Sequence, residues 1–120
     1  MSLSKFFKSF SFAWKGIKSA VLSEFNLRFH LFAAIGVTIA GFYFNISKTE
    51  WLIQILAIGL VISMELINSA LEELTDLVSP EKNKIAGKVK DIAAGAVLIS
   101  SIVALVLGLI IYLPIILKFS

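Results

Sequence analysis

Glu65, Asn68, Ser69, Glu72 and Asp76 stand three and four residues apart in the stretch MELINSALEELTD at 64–76. On a helix turning about 100° per residue, with Glu65 at zero, Asn68 falls near −60°, Ser69 near +40°, Glu72 near −20° and Asp76 near +20°. All five share a sector of roughly 100°, while Glu73, near +80°, sits at its edge and reads as a solvent-facing charge. Carboxylates and an amide on one face suit two kinds of chemistry: taking a proton from a hydroxyl, and holding a hard divalent cation. The preceding residues, WLIQILAIGLVIS at 51–63, are uncharged and, apart from Gln54 and Ser63, apolar. Ionisable groups that enter a membrane are costly, and such a group is a functional site by default.

Depth separates the acids. At about 1.5 Å per residue, Glu65 lies roughly 21 Å along the helix from Trp51, and Glu72 roughly 31 Å. If Trp51 marks the outer edge of a hydrocarbon core about 30 Å thick, Glu65 is still inside it and Glu72 is at the inner boundary. A carboxylate at the first depth suits a base acting on a lipid hydroxyl. One at the second suits Mg²⁺, which takes only one or two protein carboxylates and completes its shell with water and phosphate oxygens. Glu24, in the polar segment SEFNLRFH at 23–30, can supply the second carboxylate. Lys90 can neutralise phosphate as a point cation. Its neighbour Asp91 can bind a ribose or adenine group, or hold Lys90.

The elements that must carry these residues are helical. The chain of 120 residues is 58% hydrophobic and only 16% charged, with a mean hydropathy of +0.94. Soluble domains average about 45–50% apolar and about 25% charged residues. The segment 92–117 holds no charge and exceeds the roughly 20 residues of a spanning helix. We therefore expect one all-α integral membrane domain over 1–120, with spans near 29–45, 51–71 and 92–117. Residues 4–22 place Phe6, Phe10, Trp14, Ile17 and Val21 at helical spacing among Lys5, Lys8, Lys15 and Lys18. That pattern predicts an amphipathic helix on the membrane surface, with no cleavable signal. Pro80 breaks the chain in the loop 79–84, and the small run AAGA at 93–96 permits close helix contact.

Lys and Arg are concentrated before the first span and between the second and third; only Lys48 and Lys118 lie on the other side. The positive-inside rule then puts the N-terminus in the cytoplasm and the C-terminus outside. The formal charge of +3 is explained by orientation and lipid headgroups rather than nucleic acid. With no Cys, disulfides and thiolate metal sites are excluded.

Simpler roles compete. Asn68 and Ser69 can act as polar glue between helices. His30 reads as an interfacial polar group, and the cationic N-terminal helix as an anchor. A non-catalytic membrane assembly protein, or a proton or cation conductor using Glu65 and Glu72, are the alternatives of another class. Assembly alone does not call for two acids at the buried edge plus a matched Lys-Asp pair. Three helices cannot enclose this many carboxylates within one protomer, so an oligomer is expected.

The pattern E-x-x-N-x-A-x-E (Glu65, Asn68, Ala70, Glu72), followed by K-D-x-A-A-G-A-V from Lys90 to Val97, resembles the small prokaryotic diacylglycerol kinase family, which includes undecaprenol kinases. The resemblance covers nearly the whole chain. It implies a homotrimer in the bacterial cell (inner) membrane, with active sites between subunits. The implied activity is ATP- and Mg²⁺-dependent phosphorylation of a lipid alcohol. By the same resemblance Glu65 is the general base, Asn68 a polar residue near the reacting groups, and Glu24 and Glu72 the metal carboxylates. Lys90 and Asp91 are nucleotide-contacting positions. Asn83 stands where the family often has His, with Glu81–Asn83 able to touch nucleotide through backbone. The runs NLRFHL at 26–31 and AAGAV look more like the undecaprenol branch, with diacylglycerol the alternative substrate.

Overall fold

The computed structural model describes residues 2–119. It is all-helical: α1 Leu3–Ser23, α2 Phe25–Tyr43, α3 Lys48–Val78 and α4 Lys84–Phe119. Ser2 caps α1, its hydroxyl accepting from the Lys5 backbone N–H at 3.3 Å.

Between α1 and α2 a single extended residue, Glu24 (φ −113°, ψ 113°), turns the chain. Its N–H closes the last turn of α1 on Ala20 O at 2.8 Å. The C-terminal carbonyls of a helix lack internal partners and favour a cation. Arg28, one turn into α2, supplies it: Nη1 donates to Val21 O at 2.8 Å and to Leu22 O at 3.0 Å. The corner carrying Glu24 is thus tied from both sides. No residue between 25 and 29 interrupts the backbone, so α2 begins at Phe25, ahead of the boundary expected at 29.

The α2–α3 turn uses Asn45 in the left-handed region, φ 52°, which asparagine tolerates. Ser47 and Glu50 then form a capping box. Ser47 Oγ accepts from Glu50 N at 3.2 Å, and Glu50 Oε1 accepts from Ser47 N at 2.9 Å. Trp51, expected at the interface, lays its ring against Gly41 and Phe42 and so closes the hairpin.

At the far end of α3, Asn83 caps α4, its Oδ1 accepting from Ala86 N at 2.8 Å. Helix therefore starts at Lys84, two turns before the expected third span, and Lys88, Lys90 and Asp91 ride on α4 instead of in a loop.

α3 and α4 form the most extensive contact, α2 packs on α3, and α1 touches α2 and α3. α2 and α4 do not pack closely against each other. The seam of α3 buries Gln54, Val61, Glu65 and Ser69, and that of α4 buries Ala93, Ser100 and Ile111. Ala93 and Ser100, two turns apart, are small enough for close helix approach. Elsewhere large apolar side chains face outward, among them Phe32, Leu56 and Ile99. A soluble protein rarely leaves apolar surface so continuous. α2, α3 and α4 are each long and apolar enough to cross a bilayer, and the chain is an integral membrane protein.

Candidate active site

Glu65 is the most enclosed acid, 3% exposed on the inner seam of α3. Its one polar contact among the described residues is His30 on α2, whose Nε2 lies 3.4 Å from Glu65 Oε1. Glu24 and Glu72 are near enough for their charges to act on Glu65. The α1–α2 corner and two successive turns of α3 therefore bring three carboxylates and one imidazole into a single electrostatic neighbourhood.

One turn beyond Glu65, Asn68 donates from Nδ2 to Glu72 Oε1 at 3.1 Å. Its other amide atom, Oδ1, is buried with no hydrogen-bond partner. An unpaired buried acceptor costs about 1–3 kcal/mol, so Asn68 Oδ1 is an acceptor that the single chain leaves unsatisfied. Glu72 is half-buried, and Ser69 between them is buried. Glu24 is half-buried and makes no side-chain cap bond to α2, which leaves its carboxylate uncommitted to the helix end.

At the polar end, Lys90 Nζ pairs with Asp76 Oδ1, fastening the head of α4 to the tail of α3. The partner of Lys90 is thus Asp76, not the adjacent Asp91. Neighbouring residues on a helix point about 100° apart, and only an acid from the facing helix can reach. Lys90 directly precedes Asp91 and the charge-free stretch 92–117. Asp91 and Glu73 are exposed. Asn83 spends its side chain on the loop: beyond the cap, its Nδ2 donates to Ser79 Oγ.

A groove of about 460 Å³ runs away from this cluster in the gap between α2 and α4, floored by α3. Phe29 and His30 stand at one end, Gln54 and Tyr112 at the other, with Ala33, Ala57 and Gly108 among the residues between. At the far end Gln54, 5% exposed, donates from Nε2 to Val37 O at 3.0 Å. The Tyr112 hydroxyl lies 2.6 Å from Gln54 Oε1 and 3.0 Å from Val37 O. It has one proton, and the shorter contact to Gln54 takes it. Among the described residues, no three His, Asp or Glu side chains stand together as a ready metal cage.

Within the apolar part of the bundle, two contacts have no sequence counterpart. His30–Glu65 joins α2 to α3, and the Gln54–Tyr112 bond joins α3 to α4. The only available signal was that each polar residue sits in a predominantly apolar run.

Comparison with known proteins identifies the family. Residues 11–112 match the family described as prokaryotic diacylglycerol kinase. The chain is 42% identical over 112 residues to the undecaprenol kinase of Bacillus subtilis, covering 93% of this chain and 91% of that one. It is 31% identical over 111 residues to the diacylglycerol kinase of Haemophilus influenzae, covering 92% and 94%. Against the Escherichia coli diacylglycerol kinase identity is 28% over 99 residues, covering 82% and 81%. With that coverage, the chain belongs to the prokaryotic diacylglycerol kinase family of membrane lipid kinases.

Proposed function

We propose that this protein transfers the γ-phosphate of ATP to a membrane lipid alcohol in an Mg²⁺-dependent reaction, and that the alcohol is undecaprenol. The observation that carries the reading is the placement of Glu65. It is an acid 3% exposed in contact with His30, which lines the head of an apolar groove, and the Asn68–Glu72 pair follows on the same helix. A lipid whose chain lies in hydrocarbon presents its hydroxyl at that level. The likeness to the B. subtilis undecaprenol kinase supports undecaprenol over diacylglycerol.

Glu65 takes the proton of the lipid hydroxyl as the oxygen attacks the γ-phosphorus, and the bond to the bridging oxygen of ADP breaks. Asn68 holds Glu72 and offers its free Oδ1 to the reacting groups. Glu24 and Glu72 are the residues that would hold Mg²⁺: two hard oxygen donors are what the ion takes from a protein when phosphates complete its shell. Bound there, the ion supplies neutralisation of charge on the ATP phosphates. Lys90 adds a point cation from the head of α4, and Asp91 and the backbone of 81–83 lie on the nucleotide side.

The working form is a homotrimer in the bacterial cell membrane, N-terminus cytoplasmic and C-terminus outside. Polar side chains left half-exposed at membrane depth support the assembly, since a neighbouring protomer covers them. α1 is the surface helix; it buries no residue in this chain, and its Phe6, Phe10 and Trp14 are free to enter the interface.

The test is phosphate transfer from labelled ATP with Mg²⁺ in micelles holding undecaprenol or diacylglycerol. Labelled lipid is expected, with undecaprenol preferred. Preference for diacylglycerol would reassign the substrate, and no product with either, from a folded oligomer, would reject the kinase reading.

A further inference from the structure

His30 is the only histidine in the chain, and nothing in the proposed reaction so far uses it. It stands on α2 with its ring edge-to-face against Phe29, centroids 5.7 Å apart and planes at 76°. Nε2 points at the buried Glu65 carboxylate from 3.4 Å. That is long for a hydrogen bond, as such contacts are before substrate is bound. Other charged groups nearby are engaged or acidic. Arg28, on the same helix, is spent on the Val21 and Leu22 carbonyls. Lys90 on α4 is tied to Asp76. Glu24 from the α1–α2 corner and Glu72 from α3 both act on Glu65 as like charges. A buried carboxylate needs donors, and among the described residues His30 is the one side chain placed to give it one.

We propose that His30 is a positioning residue for the base. Its Nε2–H donates to Glu65 Oε1, fixes the carboxylate rotamer, and leaves Oε2 free to face the lipid hydroxyl. The proton of that hydroxyl goes to Glu65, and His30 neither gains nor loses one in the step. The arrangement is that of a base oriented by a third group, with imidazole as the orienter and carboxylate as the base. His30 also lines the head of the apolar groove, so the contact sets the base where the lipid chain would enter.

The inference rests on the kinase reading, and the experiment separates the two. Wild type, His30→Gln, His30→Leu and the surface control Glu73→Gln are assayed as assembled protein in micelles, with kcat and both KM values measured. His30→Leu keeps bulk and removes the donor; His30→Gln keeps a donor without titrating. The expected result is a kcat loss on the order of 10- to 100-fold in His30→Leu, a fraction of what general-base catalysis contributes. KM for ATP should be unchanged, and His30→Gln should recover most of the loss. The acidic limb of the kcat/KM profile should be displaced in His30→Leu and unmoved in Glu73→Gln. Equal activity in His30→Leu and His30→Gln would overturn the proposal, as would a loss confined to KM. If His30→Leu fails to assemble, His30→Gln decides: near-wild-type kcat supports the donor role, and a collapse equal to loss of the base rejects it. An inactive wild type rejects the kinase reading and this inference with it.

Discussion

Asn68 donates to Glu72 across one turn of α3 while its own carbonyl oxygen stays buried and unpaired. The amide ties down the acid that follows it and, on the proposed kinase reading, keeps one acceptor for the reacting groups. If Glu72 holds Mg²⁺, Asn68 acts as an outer partner of that ligand. Replacing such partners usually costs about 10- to 100-fold in metal affinity or activity. Asn68→Ala should therefore raise the Mg²⁺ concentration for half-maximal transfer by about tenfold or more. An unchanged Mg²⁺ dependence would take Asn68 out of that role.

Gly41 predicts a packing effect with no catalytic part. A Cβ there would come within 2.7 Å of Trp51 Cη2 and Cζ2, and 3.2 Å of Ile46 Cδ1. The indole is wedged in the hairpin and has little room to yield. Gly41→Ala should lower stability by about 1–3 kcal/mol, the usual cost of overpacking. SDS-induced unfolding in mixed micelles would show it, and adding Trp51→Ala should make the alanine tolerable.

Tyr112 separates glue from chemistry. Tyr112→Phe deletes the bond to Gln54 Oε1, at the end of the groove away from Glu65. Hydrogen bonds between helices in membranes contribute about 0.6 kcal/mol, with a maximum near 2. A stability loss of that size with kcat within about twofold of wild type is expected. A large kcat loss at intact stability would extend the reactive region to this end.

Lys90 should affect nucleotide more than lipid. Lys90→Ala removes a cation and releases Asp76 as an uncompensated acid on the side proposed for the nucleotide. KM for ATP should rise about tenfold, with a smaller effect on the lipid KM. Asp76→Asn, which frees Lys90 and keeps its charge, should leave ATP affinity equal or better.

What was legible in the sequence was what one helix shows by itself. The three- and four-residue spacing of Glu65, Asn68 and Glu72 lies within a single element, and so do the apolar runs that became α2, α3 and α4. Contacts between elements were not legible. His30 meets Glu65, Lys90 chooses Asp76 over its neighbour Asp91, and Gln54 finds Tyr112, each across a helix boundary. Periodicity reports which face is apolar and says nothing of which helix covers it. Trp51 shows the same limit: its type suits an interface anchor, but the missing Cβ of Gly41 across the turn draws its ring into the hairpin. Boundaries slipped at the polar ends: Asn83 caps α4 ahead of the apolar run, and α2 begins directly after the extended residue Glu24, earlier than hydropathy alone suggests.

The most direct measurement is the rate of labelled-phosphate transfer to undecaprenol by Glu65→Gln beside wild type, both verified as the same oligomer. The substitution keeps size and hydrogen bonding and removes the base. A fall of about 10²–10⁴ in kcat, the range general-base catalysis supplies, is expected, with ATP affinity retained. Transfer by Glu65→Gln at a rate near wild type would contradict it.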